Sequence, residues 1–367
     1  MTPLRREPQP GDFISEIQRF LDNKLSSYLG AGNLATITSL VIVYVVVGKI
    51  GVRVPTASQN VTAIWPPAGI SLAALLLLGK RVWPAIFLAS FFLSFMLQGS
   101  ISISMGLAAG CVLEALVGAY LVNKYANGIS AFFKMRDVLR FVALGGLVAS
   151  AVAATVGVST LCVCNVASWT DFWTLWFVWW VGDLLGILFV TPFLVLLLGH
   201  RHHSSGLAEA LETAVLITGL SIVCVLNFGP RPVSWIPGNS LLFLCAPFLV
   251  WSALRFCPLE AAGATLIMGG VAAWSSAHGF GPFQNPVGLP LFVGVFMAVG
   301  AATTLTIAAA SAEQKRETKD ALGMYCVLKH AKETEIRVLQ DTVEGLRDEL
   351  ARNELHRTDS SSPKHID

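Results

Sequence analysis

From Leu34 to Ala310 the chain is a succession of apolar runs separated by short polar, glycine- or proline-bearing joints. A helix needs about 20 residues to cross a ~30 Å hydrocarbon core, and runs of this kind predict helices within a bilayer. Ten candidate spans can be drawn, at roughly 34–50, 61–79, 82–98, 101–122, 138–163, 172–198, 209–228, 239–256, 258–278 and 288–310. Several are short or joined by tight turns, notably at Gly79-Lys80-Arg81 and Cys257-Pro258. Eight or nine full crossings with partial helices would fit as well. The expected fold is therefore all-α: a polytopic transmembrane helical bundle of eight to ten spans, over residues 34–310.

The pattern is different on either side of that region. Residues 1–33 are a polar leader in which Phe13, Ile14, Ile17, Phe20, Leu21, Leu25, Tyr28 and Leu29 recur at helical spacing, with Asp12 able to cap the start. This predicts an amphipathic helix, either lying on the membrane surface or packed as a soluble helix. No cleavable signal peptide is expected there. Residues 311–357 are rich in Glu, Lys, Arg and Asp. A heptad places Leu322, Lys329, Ile336, Val343 and Leu350 at a, and Tyr325, Lys332, Leu339, Leu346 and Asn353 at d. The seam is clean from Ile336 to Leu350, which predicts a coiled-coil-like helix, either paired with a second copy through 322–350 or solvated alone. Residues 358–367 read as a disordered tail.

Composition agrees with the apolar pattern. The chain is 54% hydrophobic and 13% charged, against about 25% charged in a soluble domain. A net charge of +2 gives no reason to expect nucleic acid or an acidic partner. The seven cysteines lie mostly in apolar runs, where cysteine behaves as a small hydrophobe, and no disulfide framework, metal site or cofactor is expected. Charge also sets an orientation. With ten crossings and a cytoplasmic N-terminus, the inner segments hold twelve Lys and Arg residues and the outer loops only Lys49, Arg53 and Arg231. That bias puts both termini in the cytoplasm.

The most informative joint is Asn60-Val61-Thr62-Ala63-Ile64-Trp65-Pro66-Pro67-Ala68-Gly69-Ile70. Proline has no N–H and clashes with the preceding turn, so Trp65-Pro66-Pro67 starts or breaks a helix. Two readings stand: a plain helix start in the interfacial aromatic belt, or broken backbone that shapes a cavity.

Ionisable residues inside spans are the next candidates, since each costs about 2.5–3.5 kcal/mol at mid-membrane. Gly106, Gly110, Glu114 and Gly118 fall on one i, i+4 row. Small residues admit a neighbouring helix, so Glu114 should face protein and not lipid. Asp183 lies in Trp179-Trp180-Val181-Gly182-Asp183-Leu184-Leu185-Gly186, with Trp179, Trp180 and Gly186 on its face. Both acids fall near mid-depth. They are either functional, sharing a proton or holding a cation, or satisfied within the bundle. Arg255 and Glu260 flank Cys257-Pro258 and are expected to pair across that turn or reach the interface. Trp274 and His278 precede Gly279-Phe280-Gly281-Pro282-Phe283 and offer a pH-sensing or ligand-binding histidine, or an ordinary interfacial one. His200, Arg201, His202 and His203 read as a solvated loop.

No output enzyme is legible. His330-Ala331-Lys332-Glu333 lacks the pattern of a phospho-accepting histidine, and there is no ATP lid, cyclase signature or Walker loop. The chain is not expected to be an enzyme.

Taken in order, several motifs resemble one family. They are the Asn60–Ala74 stretch with Gly79-Lys80-Arg81-Val82-Trp83-Pro84, Leu113-Glu114-Ala115 in a glycine-rich helix, and Phe177–Gly186 followed by Thr191-Pro192. Trp251-Ser252-Ala253-Leu254-Arg255-Phe256 and the Gly279–Phe283 loop complete the set. Together they resemble the membrane-associated sensor family, type one (the MASE integral-membrane sensor domains of bacteria). The resemblance spans roughly residues 35–312. It implies a sensory input module of the bacterial inner membrane, usually fused to histidine-kinase or diguanylate-cyclase domains. Here the tail is too short for such a domain, so the output lies in a partner or the chain is a truncated form.

The resulting expectation is a membrane sensor whose ligand site draws on Trp65, Pro66, Pro67, Glu114, Trp179, Trp180, Asp183, Arg255, Trp274 and His278. Membrane lipids, an unknown small ligand, a second copy, and a separate histidine kinase or diguanylate cyclase are the expected partners. A small-solute or ion transporter using the two acids is the main rival, and a scaffold recruiting a soluble kinase the third reading.

Overall fold

The structure, a computed structural model, describes residues 34–52, 64–199, 206–229, 242–278, 280 and 288–360. The expected leader helix, the Asn60–Ala63 part of the proline motif, the His200–His203 loop, most of the Gly279–Phe283 loop and residues 361–367 lie outside them.

The described residues form ten α-helices with no strand among them: α1 (Leu34–Val52), α2 (Pro66–Leu78), α3 (Trp83–Gln98), α4 (Ile101–Tyr125), α5 (Met135–Val163), α6 (Phe172–Gly199), α7 (Leu207–Phe228), α8 (Cys245–Arg255), α9 (Pro258–Ala277) and α10 (Gly288–Ser360). Each falls where an apolar run was expected, and the last continues into the charged tail. The chain divides into two compact units, one ending at Glu313 and the other beginning at Gln314.

Against the expected eight to ten crossings, six helical segments among the described residues are long and apolar enough to span a bilayer: Lys80–Gln98, Ile101–Tyr125, Met135–Val163, Trp169–Gly199, Leu207–Phe228 and Phe292–Asp348. The others fall short for local reasons. α2 has 13 residues, about 20 Å of helix at ~1.5 Å per residue. α8 has 11 residues, and the small and polar residues of α9 dilute its apolarity.

Helix starts and stops follow the sequence. Pro66 and Pro67 occupy the first positions of α2, where a missing N–H removes no helical bond. Pro84 does the same for α3. Gly99 ends α3 in the left-handed region (φ 66°), a conformation that costs glycine little. α5 is wound as a π-helix from Phe141 to Val148, around Gly145-Gly146.

α2 and α6 form the centre of the bundle. α2 is buried on every side from Pro67 to Leu76, and α6 from Val181 to Phe189. A helix apolar all round must be covered on every face, by protein or by lipid, and these two are covered by protein. Leu72, Leu75, Ile86, Leu185, Ile187 and Phe189 are among the largest fully buried side chains.

In the second unit, the a and d residues Leu322, Tyr325, Ile336, Leu339, Val343, Leu346 and Leu350 are exposed on the single chain. Lys329 and Glu333 approach to 4.0 Å one turn apart.

Candidate functional site: an acid-bearing cavity between four helices and Trp65

The site begins with how α2 enters the bundle. The Trp65 amide donates to the Gly182 carbonyl of α6 at 2.9 Å. One turn on, Gly186 has no side chain, and the Trp65 carbonyl lies where one would stand. Gly69 faces the Gly186 carbonyl in the same way, and Thr191 Oγ1 donates to the Gly69 carbonyl at 3.0 Å. The proline motif is thus docked backbone-to-backbone on the Gly182–Gly186 turn, with Trp65 held beside Asp183.

A cavity of about 140 Å³ opens at this junction. Trp65 closes one side. α3 supplies Ser90, Leu93, Ser94, Leu97 and Gln98; α4 supplies Leu107 and Cys111; α5 supplies Ala153 and Gly157; α6 supplies Trp179, Gly182 and Asp183. Gly157 makes room for the Trp179 ring, which packs against it.

Glu114 sits behind this wall. It is 2% exposed, and the glycine row explains why. Gly106 packs on Thr160, Gly110 on Val156, and Gly118 on Leu72 and Ala149, so the row faces α5 and α2 as expected. Glu114 interacts electrostatically with both Asp183 and Cys111. Its Oε1 is buried without a hydrogen-bond partner among the described residues. Buried polar atoms are nearly always paired, so an orphan of this kind marks a function, an unsatisfied strain or a missing ligand. Beside it the Tyr44 hydroxyl, the Ser90 hydroxyl and the Cys111 thiol lie within reach of one another, which brings α1, α3 and α4 together.

The structure therefore brings Trp65, Trp179, Asp183 and Glu114 together, and places the other expected residues elsewhere. Pro66 and Pro67 set the start of α2 and do not line the cavity. Trp180 Nε1 donates to the Leu147 carbonyl at 2.9 Å, and its ring stacks on Trp176 (centroids 5.5 Å apart), so it belongs to an aromatic ladder at the start of α6.

Arg255 and Glu260 were expected to pair across their turn or reach the interface. Arg255, largely exposed, donates from Nε to Glu212 Oε1 of α7 at 2.9 Å, because α7 runs alongside α8. Glu260 Oε2 is buried without a partner. Trp274 is half exposed and its ring lies 4.5 Å from that of His278, whose Nδ1 donates to the Trp274 carbonyl at 2.9 Å. These two form a local pair at the end of α9, outside the cavity wall.

Tyr44, Ser90, Ser94, Gln98 and Cys111 were not singled out in the sequence. A faint signal existed for three of them. Ser90, Ser94 and Gln98 repeat every four residues and make one polar stripe on an otherwise apolar helix. Tyr44 gave no such signal.

All seven cysteines are free thiols. No group of three or more His, Cys, Asp or Glu side chains suited to a metal occurs among the described residues.

No curated protein and no solved structure matches this chain. Residues 36–315, the entire helical bundle described above, match the MASE1 family model. The match covers the proline motif, the glycine row of Glu114 and the α6 segment of Asp183 together. The chain belongs to the MASE1 family of membrane-associated sensor domains.

Proposed function

We propose that this chain is a sensory input module of the bacterial inner membrane that receives a small or lipid-soluble cue in the Trp65–Asp183 cavity. It passes the signal through α10 to a separate output protein, a histidine kinase or a diguanylate cyclase. The observation that carries this reading is a cavity with a buried acid on its wall, set in the bundle of a sensor family.

The path to the tail is short. Asp183 lies between Val181 and Leu185 in sequence, and both of those side chains pack against Gly294 of α10. A cue that repositions α6 therefore acts on the helix that leads into the charged tail. Such a response requires two arrangements that the cue binds unequally. The apolar seam from Ile336 to Leu350 suits pairing with a second copy, and the positive-inside bias suits cytoplasmic termini.

A full-length chain carrying Leu339→Cys, in native membranes, tests this. Crosslinking across a dimer is expected, and its yield should change with growth conditions. Asp183→Asn and the cavity-filling Ser94→Phe should each lock the yield at one value. No crosslink under any condition would remove the dimeric tail, and a condition-dependent yield untouched by both variants would remove the cavity from the mechanism.

The adjacent acids Glu114 and Asp183 also suit an ion or small-solute transporter. That reading requires flux in proteoliposomes that Asp183→Asn abolishes.

A further inference from the structure

The chemistry of the cavity wall narrows the class of molecule it holds; this inference rests on the reading of that cavity as the cue site. Asp183 lines the cavity while only 7% exposed. No hydrogen bond or ion pair ends on it among the described residues. Glu114 lies within electrostatic reach, and its Oε1 is likewise unpartnered.

Among the described residues the wall carries no Lys, Arg or His. Two carboxyl groups thus share a region of low dielectric without a basic side chain to answer them. Like charges in such a place repel strongly, and each lone charge is poorly solvated. A proton on the pair is one resolution, and a neutral ligand would leave it in place. A ligand with positive charge and N–H donors is the other.

The rest of the wall favours the second. Trp65 and Trp179 both line the cavity, and indole faces attract ammonium groups, most strongly where water is excluded. Ser94 and Gln98 add neutral hydrogen-bonding groups from α3.

Size sets the remaining limit. The volume is about 140 Å³, close to the ~150 Å³ engineered apolar cavity that accommodates benzene. A molecule held whole within it is about the size of one aromatic ring.

We propose that the cavity binds a compact organic ammonium ion with an apolar body about the size of one aromatic ring. Its ammonium group sits on Asp183 against the Trp65 and Trp179 faces, and its apolar body fills the rest of the cavity. Glu114 supplies a second negative charge behind the first and does not need to touch the ligand.

The test is equilibrium binding to the purified full-length chain in lipid nanodiscs, with three probes of nearly equal size: 2-phenylethylammonium, neutral 2-phenylethanol and anionic phenylacetate. The ammonium probe is expected to bind at least about tenfold tighter than the alcohol, and phenylacetate more weakly still. Asp183→Asn should erase that preference, and Ser94→Phe should abolish binding of both the ammonium and the alcohol. Should Asp183→Asn fail to fold, Trp179→Leu replaces it, with the expectation that the ammonium probe weakens more than the alcohol. Equal or tighter binding of the alcohol or the acid overturns the cationic class and leaves the cavity intact as a cue site. Absence of binding by all three probes also overturns the proposal. The wider reading then stands or falls on whether Ser94→Phe still locks the crosslinking yield at Leu339→Cys.

Discussion

The carbonyl of Trp65 lies against Gly186, in the space that any side chain at 186 would require. Together with the 2.9 Å bond from the Trp65 amide to the Gly182 carbonyl, this fixes the broken start of α2 on the centre of α6. The cavity is a consequence of that docking. Pro66 disfavours helical backbone at Trp65, so α2 starts just after it and the Trp65 ring is left at the junction beside Asp183.

Gly186→Ala should therefore destabilise the bundle by about 1–3 kcal/mol, the usual range for forcing a methyl group into a filled space. Gly69→Ala should behave alike, since its added methyl would meet the Gly186 backbone. Gly270→Ala is the control: nothing lies within 4 Å of its added methyl, and it should be neutral or stabilising by up to about 1 kcal/mol. Thermal unfolding in detergent measures all three. Equal melting temperatures for Gly186→Ala and Gly270→Ala would contradict the backbone contact.

Glu114→Gln should cost less than about 1 kcal/mol of stability. The Glu114 Oε1 forms no hydrogen bond, and a group without a partner loses little when replaced by a neutral one of the same shape. Glu114→Leu, which removes every polar atom, should also fold. A loss of several kcal/mol for the glutamine variant would mean that Glu114 is bonded in a way the structure does not show. Response assays on the same variants separate a role in signalling from a role in folding.

Cys224 of α7 and Cys245 of α8 are both buried, and their thiols face each other within interaction distance. Asn227 Nδ2 also approaches Cys245 Sγ, at 3.9 Å. A full-length chain that keeps these two cysteines and replaces the other five with serine should crosslink internally when treated with a membrane-permeant oxidant. Mass spectrometry of the linked peptides would identify the bond. Cys224→Ser should abolish it, and failure of the parent to crosslink would contradict the packing of α7 on α8.

Much of this architecture was legible in the residues. Apolar runs located all ten helices, because membrane helices are read from local composition and length. Pro66 and Pro67 marked the start of α2 through their missing N–H groups. The four-residue row of Gly106, Gly110, Glu114 and Gly118 revealed a protein-facing side, since helical periodicity is itself a local property. The motifs in order pointed to the family that the match over residues 36–315 establishes.

What the residues by themselves left open is which helix meets which face. In a soluble protein an apolar stripe points to the core, but lipid is as apolar as a leucine core, so hydropathy does not separate the two. α2 and α6 are apolar on all sides, and their central burial appears only once they are packed on each other. The number of crossings was undecided for the same reason, since a 13-residue apolar helix reads as part of a span until it is seen enclosed. Arg255 found Glu212 across α7, not Glu260 nearby in sequence, and Trp274 and His278 paired with each other away from the acids. Sequence determined the helices, the two acids, the shared face of Trp179 and Asp183, and the proline break; tertiary packing alone decided that Trp65 and the polar stripe of Ser90, Ser94 and Gln98 meet that face in one small cavity, because side chains this far apart along the chain converge only through non-local contacts.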